Sequence, residues 1–103
     1  MPEFRRKILI EVKVCDHEIT VIGHANYAAY GQDIVCASVS ILTQNLAKSI
    51  RDLTDDKIKY DLKAGNAFIQ YRDLSEKSKT LIDSFFIGIC SLADAYPDYV
   101  RIV

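Results

Sequence analysis

The chain predicts an α+β fold: a single two-layer domain, residues 1–103, with two helices on one face of a largely antiparallel or mixed sheet in the order β-β-α-β-β-α-β. Three observations predict it. Short segments that alternate apolar and polar residues come in adjacent pairs around turn residues, as β-hairpins do. Two longer segments repeat apolar residues every three to four positions, the period of an amphipathic helix. The composition, 50% apolar and 26% charged with only two prolines, is that of one ordinary globular core with no linker or low-complexity segment.

Taken in order, KILIEVKVC (7–15) places Ile8, Ile10, Val12 and Val14 on one face and Lys7, Leu9, Glu11, Lys13 and Cys15 on the other. This is a half-buried strand with β-branched residues inward. Asp16-His17 breaks it, and EITVIGH (18–24) resumes the alternation, closing a first hairpin. Residues 25–32 lose all period and read as a loop bordered by Gly23 and Gly31. Asp33 is a good N-cap for a helix of about 34–51, whose apolar face is Val35, Val39, Leu42, Leu46, Ile50 and Leu53. KIKYDLKAGNAFIQYRD (57–73) is a second hairpin around Ala64-Gly65-Asn66. A second helix begins near Ser75 and stops before Pro97, with Leu81 or Ile82, Phe85, Phe86, Ile89, Leu92 and Tyr96 on its face. YVRIV (99–103) makes a last strand. A domain of this size buries roughly 60–70% of its unfolded surface, enough for a core without disulfides.

Charge narrows the function classes. The formal net charge is −1 with acids and bases interspersed, and the only basic run is Arg5-Arg6-Lys7, so phosphate-driven nucleic-acid binding is not expected. No apolar run reaches the roughly 18–20 residues of a membrane span, and MPEFRRKILIEV lacks the pattern of a signal peptide, so a cytoplasmic protein is expected. Cys15, Cys36 and Cys90 are odd in number and lack CxxC spacing, which suits reduced thiols rather than a zinc site or a disulfide frame. No metal or other cofactor is implied. Cys15 and Cys90 read as structural.

The chemistry concentrates in GHANYAAYGQDIVCASVSIL, residues 23–42. If Asp33 caps the helix, Cys36 falls in its first turn, where the helix dipole favours a thiolate. His24, twelve residues upstream at the end of a strand, is then a partner for nucleophilic catalysis. Each residue also has a plainer reading: Cys36 as a small core residue, His24 as a loop histidine bonded to backbone. Asp33 has two readings that can coexist, capping the helix and orienting the imidazole; a carboxylate beside the thiol opposes thiolate formation, so capping is favoured. Gly23 and Gly31 are hinges of a loop or simply positions that allow positive φ.

The same stretch resembles the signature of the ribosomal-processing cysteine proteases, the Prp family. Gly23-His24-Ala25, Tyr30-Gly31, Asp33-Ile34-Val35-Cys36-Ala37 and Val39-Ser40 match its GHA…YG.DIVCA.VS pattern in order and spacing, and the likeness in length and element order covers the whole chain. The resemblance implies a cytosolic, homodimeric endopeptidase that removes a short N-terminal extension from the precursor of a large-subunit ribosomal protein. It implies His24 as general base and Cys36 as nucleophile. It makes Gly23, Ala25, Asn26, Tyr27, Tyr30, Gly31 and Asp33 part of a substrate-binding and gating loop. Backbone N–H groups at the start of the helix are candidates for an oxyanion hole, and an edge strand near 18–24 is a candidate substrate seat. The alternative is a non-enzymatic, ribosome-associated peptide-binding protein with Cys36 packed in the core. Dimerisation also has some support in the double apolar stripe of the second helix, Ile82, Phe86, Ile89 and Ala93 beside Leu81, Phe85, Leu92 and Tyr96.

Overall fold

The structure, a computed structural model, describes residues 10–23, 30–63 and 65–103. Its elements are β1 (Ile10–Val14), β2 (Glu18–Ile22), α1 (Tyr30–Leu53), β3 (Ile58–Lys63), β4 (Asn66–Tyr71), α2 (Glu76–Ala95) and β5 (Val100–Ile102), the predicted order. The five strands form one sheet in the order β3-β4-β2-β1-β5. All neighbours are antiparallel except β5, which runs parallel to β1.

Register puts most of the apolar strand residues on one face, with Ile22 and Phe68 on the other. Val12 faces Val21, Val21 faces Ala67, Ile19 faces Ile69 and Ile69 faces Tyr60, while Ile10 lies beside Val100. Both helices lie against this face, α1 over β3 and α2 over β5. The outer face carries Glu11, Lys13, Thr20 and Gln70, and there Arg101 reaches Glu11 at 2.8 Å. A period-two pattern with one buried face is what a two-layer domain needs.

The helices follow the predicted stripes with two differences. The inner face of α1 is Val35, Val39, Thr43, Leu46, Ala47 and Ile50, all buried, and the Thr43 hydroxyl donates to the Val39 carbonyl at 2.8 Å. Leu42 turns instead toward α2, where a Cβ on Gly88 would come within 3.1 Å of it. Leu53 is 61% exposed: the helix ends there, and Thr54 N–H and hydroxyl both donate to the Ile50 carbonyl, at 3.2 and 2.7 Å. In α2, Phe85 and Ile89 are buried and Leu81, Ile82, Leu92 and Ala93 pack against the core. Most of the double stripe is therefore used within one chain, which removes that argument for a dimer.

The larger correction is the start of α1. It begins at Tyr30 rather than near residue 34, so Tyr30, Gly31 and Asp33 belong to its first turn instead of a loop and its cap. Asp33 is the fourth helical residue, not the N-cap. Gly31 falls four residues before Val35, on the stripe that continues through Val39. A glycine there interrupts the apolar pattern and lowers local propensity, yet the helix forms because its continuation is packed.

Candidate active site

Cys36 lines an open cleft of about 400 Å³ at one end of the sheet. One wall is α1, through Cys36, Val39, Ser40, Thr43 and Gln44; the other is the end of the second hairpin, through Leu62, Lys63, Gly65 and Ala67. Ile10, Val21 and Gly23 complete the lining. Most of the interior is apolar, with Ser40 and Gln44 at the helix side and Lys63, which sits 3.5 Å from Asp61, at the opposite side. Antiparallel pairing explains the assembly: β2 ends, β1 begins and the β3–β4 turn falls at the same end of the sheet.

Gly23 is fixed in this wall. Its N–H donates to the Gly65 carbonyl at 3.0 Å, and its φ is 108°, a backbone region that only glycine enters without strain. The reading of Gly23 as a position needing positive φ is thus met. Gly65, at φ 81°, supplies the matching turn. His24, Ala25, Asn26 and Tyr27, predicted as base and loop, lie outside the described residues. The residue before His24 and the thiol of Cys36 are brought to one cleft.

The helix start alters the electrostatics expected for Cys36. Counting from Tyr30, Cys36 is the seventh helical residue, in the second turn. The helix dipole falls off within the first turn, so the argument from a thiol at a helix N-terminus does not apply as stated. The unpaired N–H groups of a helix belong to its first four residues, here Tyr30–Asp33, not to Cys36 itself. The thiol is half-buried and packs against the core while still opening to the cleft. Of the other cysteines, Cys90 is half-buried. Cys15, read as structural, is exposed, although its backbone is held: its N–H donates to Glu18 and its carbonyl accepts the Tyr71 hydroxyl at 2.7 Å.

A second correction concerns the substrate seat. β2 pairs with β4 on one side and β1 on the other, so residues 18–22 have no free edge. Alternation identifies a strand but not its rank in the sheet. Sequence reasoning also missed the far wall of the cleft. Ala64-Gly65-Asn66 signalled a turn, but nothing local marks that the turn docks on Gly23. Among the described residues, no group of three or more His, Cys, Asp or Glu is placed to hold a metal ion. No helix there is long and apolar enough to cross a membrane.

A free thiol lining an open cleft is accessible to a bound ligand. The family follows from comparison: the model described as cysteine protease Prp matches residues 7–101, and the chain belongs to that family. The ribosomal processing cysteine protease Prp of Staphylococcus aureus is 24% identical over 102 residues, covering 92% of this chain and 96% of that one. A crystal structure of an essential ribosomal processing protease Prp from S. aureus, in complex with a substrate peptide, has the same fold. Its TM-score is 0.81 at 20% identity, over 93% of this chain and 97% of that chain. SMU.848 from Streptococcus mutans is similar at TM-score 0.77 and 29% identity, over 91% of both chains.

Proposed function

We propose that the chain is a cysteine endopeptidase with a Cys36–His24 dyad, whose substrate is the N-terminal extension of a large-subunit ribosomal protein precursor. The observation that carries the dyad is the cleft shared by Cys36 and Gly23, the residue before His24. His24 takes the thiol proton, and the thiolate of Cys36 attacks the scissile carbonyl to give a tetrahedral oxyanion. Collapse expels the amine, which His24 protonates, and leaves an acyl-enzyme; water, deprotonated by the same imidazole, then releases the acid. The apolar interior suits apolar side chains next to the scissile bond. In this reading Ala25, Asn26 and Tyr27, between the dyad residues in the chain, gate the cleft, while Tyr30, Gly31 and Asp33 belong to the start of α1.

The ribosomal substrate is supported by membership of the Prp family, by relatives named for ribosomal processing, and by a fold that in S. aureus Prp accompanies a bound substrate peptide. The same reading makes the protein cytoplasmic and homodimeric. Ile41 and Ile87, 62% and 68% exposed on the helices, are available for a dimer contact, and sedimentation at micromolar concentration tests it. For the activity, purified protein is mixed with the precursor, and a shortened product is expected. Cys36→Ala and Cys36→Ser should give none; equal cleavage by either removes Cys36 as nucleophile. Binding of the extension without cleavage by the wild type would instead return the peptide-binding alternative.

A further inference from the structure

The cleft at Cys36 does not stop at the thiol. α1 runs from the cleft toward the far end of the sheet while β3 runs back toward it, and α1 lies over β3. The hollow between them reopens farther along, beside Arg51, Thr54, Ile58 and Tyr60. Leu62 and Lys63 border the thiol cleft, so one strand lines both hollows.

β3 is also an edge. Among the described residues it pairs with β4 alone, from Ile58↔Tyr71 to Lys63↔Asn66. With Lys63 and Asn66 closing a two-residue turn, narrow and wide pairs alternate along the ladder. This directs the backbone N–H and C=O of Leu62, Tyr60 and Ile58 away from β4. The side chains of these same three residues face the helices but are only half-buried, whereas Ala67, Ile69 and Tyr71 opposite them are all buried. The inner surface thus continues one strand beyond where the sheet ends. The other edge, β5, has three residues and none of them lines the thiol cleft.

We propose that β3 is the substrate-docking edge: an extended peptide segment flanking the scissile bond adds to it as a further strand and thereby presents its carbonyl to Cys36. The inference rests on the peptidase reading and specifies how that peptidase grips its substrate. A row of alternating donors and acceptors is complementary to another extended backbone, which commits the edge to a peptide occupant. Six residues of β3 span about 20 Å at roughly 3.3 Å each, and α1 covers about 22 Å between Cys36 and Arg51 at 1.5 Å per residue. The track therefore accommodates about six residues, with alternate side chains turned onto Tyr60 and Leu62. Backbone pairing supplies affinity, and this alternation supplies selectivity.

Amide hydrogen exchange tests it, using full-length Cys36→Ala and a synthetic peptide spanning the extension junction of the host's own precursor. Exchange at Ile58, Tyr60 and Leu62 should slow at least tenfold on peptide addition, while Lys59 and Asp61, already paired with β4, change little. In parallel, Tyr60→Pro on the active protein should raise KM at least tenfold relative to Tyr60→Val, which keeps the N–H; proline is tolerated where an edge N–H faces outward. If the wild type cleaves the peptide but the three amides are unaffected, or protection appears on β5 instead, the docking edge is wrong and the peptidase reading stands. If the amides are protected but nothing is cleaved, the edge stands and the peptidase reading falls. Neither effect sinks both.

Discussion

The two ends of the sheet are built differently. At the end away from the thiol, side chains tie the elements together. Asp56 accepts from the N–H and hydroxyl of Ser75, at 2.9 and 2.6 Å, and from the hydroxyl of fully buried Ser78. Thr54 and Ser75 add the ends of the two helices to this cluster: Asp56 N–H donates to Thr54, and the Ser75 hydroxyl caps α2 through Ser78 N–H. Tyr71 then bonds the carbonyl of Cys15 in the first hairpin turn. At the cleft end the ties are backbone bonds, Gly23 to Gly65 and Ile10 to Tyr99, around an open space. The lesson is a division of labour: one end locks the helices to the sheet, which leaves the other free to keep a hollow beside the Cys36 thiol.

Changes at each end should therefore have different signatures. The largest effect is expected from Gly23→Ala, which forces a side chain into φ 108° and costs on the order of 1–3 kcal/mol. Because residue 24 follows directly, kcat/KM on the precursor should fall by more than the shift in urea midpoint accounts for; parallel losses would mean that Gly23 serves stability alone. Ser75→Ala, at the locked end, should cost about 1 kcal/mol as a lost N-cap. Cleavage by the folded fraction should not change, and a drop in kcat would show that the two ends are coupled.

Titration sharpens the contrast further. Hydrogen bonds from Ser75, then Ser78, hold the Asp56 carboxyl below its ordinary value. Its contribution is present above the unfolded carboxylate pKa of about 4 and is lost as pH falls through the lower folded value. Asp56→Asn should flatten the acid limb of stability against pH, and an unchanged limb would rule out this cluster as its source. Tyr71 moves the other way: burial, then the negative groups at Cys15, Asp16 and Glu18, push its hydroxyl up to about 12. Its contribution is complete below about pH 10 and is lost as pH rises toward the folded value. Phenolate absorbance should show a late-titrating tyrosine that disappears in Tyr71→Phe.

The smallest effect is expected between the ends, at Gly88. Alanine gains up to about 1 kcal/mol of helix propensity, but its Cβ would lie 3.1 Å from a terminal carbon of Leu42. Leu42 is only half-buried and can shift, so a net stabilisation below about 1 kcal/mol is expected in denaturant unfolding. Destabilisation would mean that the contact between the helices is rigid.

Most of the fold was legible because its signals are local. Period two with β-branched residues marked β1 and β2, Gly65-Asn66 marked the second turn, and Ser75 and Pro97 bracketed α2. What was not legible depends on distant partners. The first turn of α1 contains Tyr30, Gly31 and Asp33, which carry no apolar period, and only packing of the later turns explains their helicity. The internal rank of β2 is set by β4, more than forty residues away in the chain. At the site, the sequence singled out Cys36, and the structure puts its thiol in a cleft, while His24 lies outside the described residues. The wall formed by Leu62, Lys63 and Gly65 was not legible, since it arises from a turn docking on a strand end.

The parallel pairing of β5 with β1 has a consequence in time. Ile10 lines the thiol cleft, and its N–H is held by Tyr99, some ninety residues later, beside the Ile10↔Val100 pair. Contacts this distant in sequence form only after nearly the whole chain is available, and closing them is slow. During synthesis the hairpins and α1 can assemble while this corner of the cleft is still unbuilt. The thiol cleft is thus completed among the last structural events of folding.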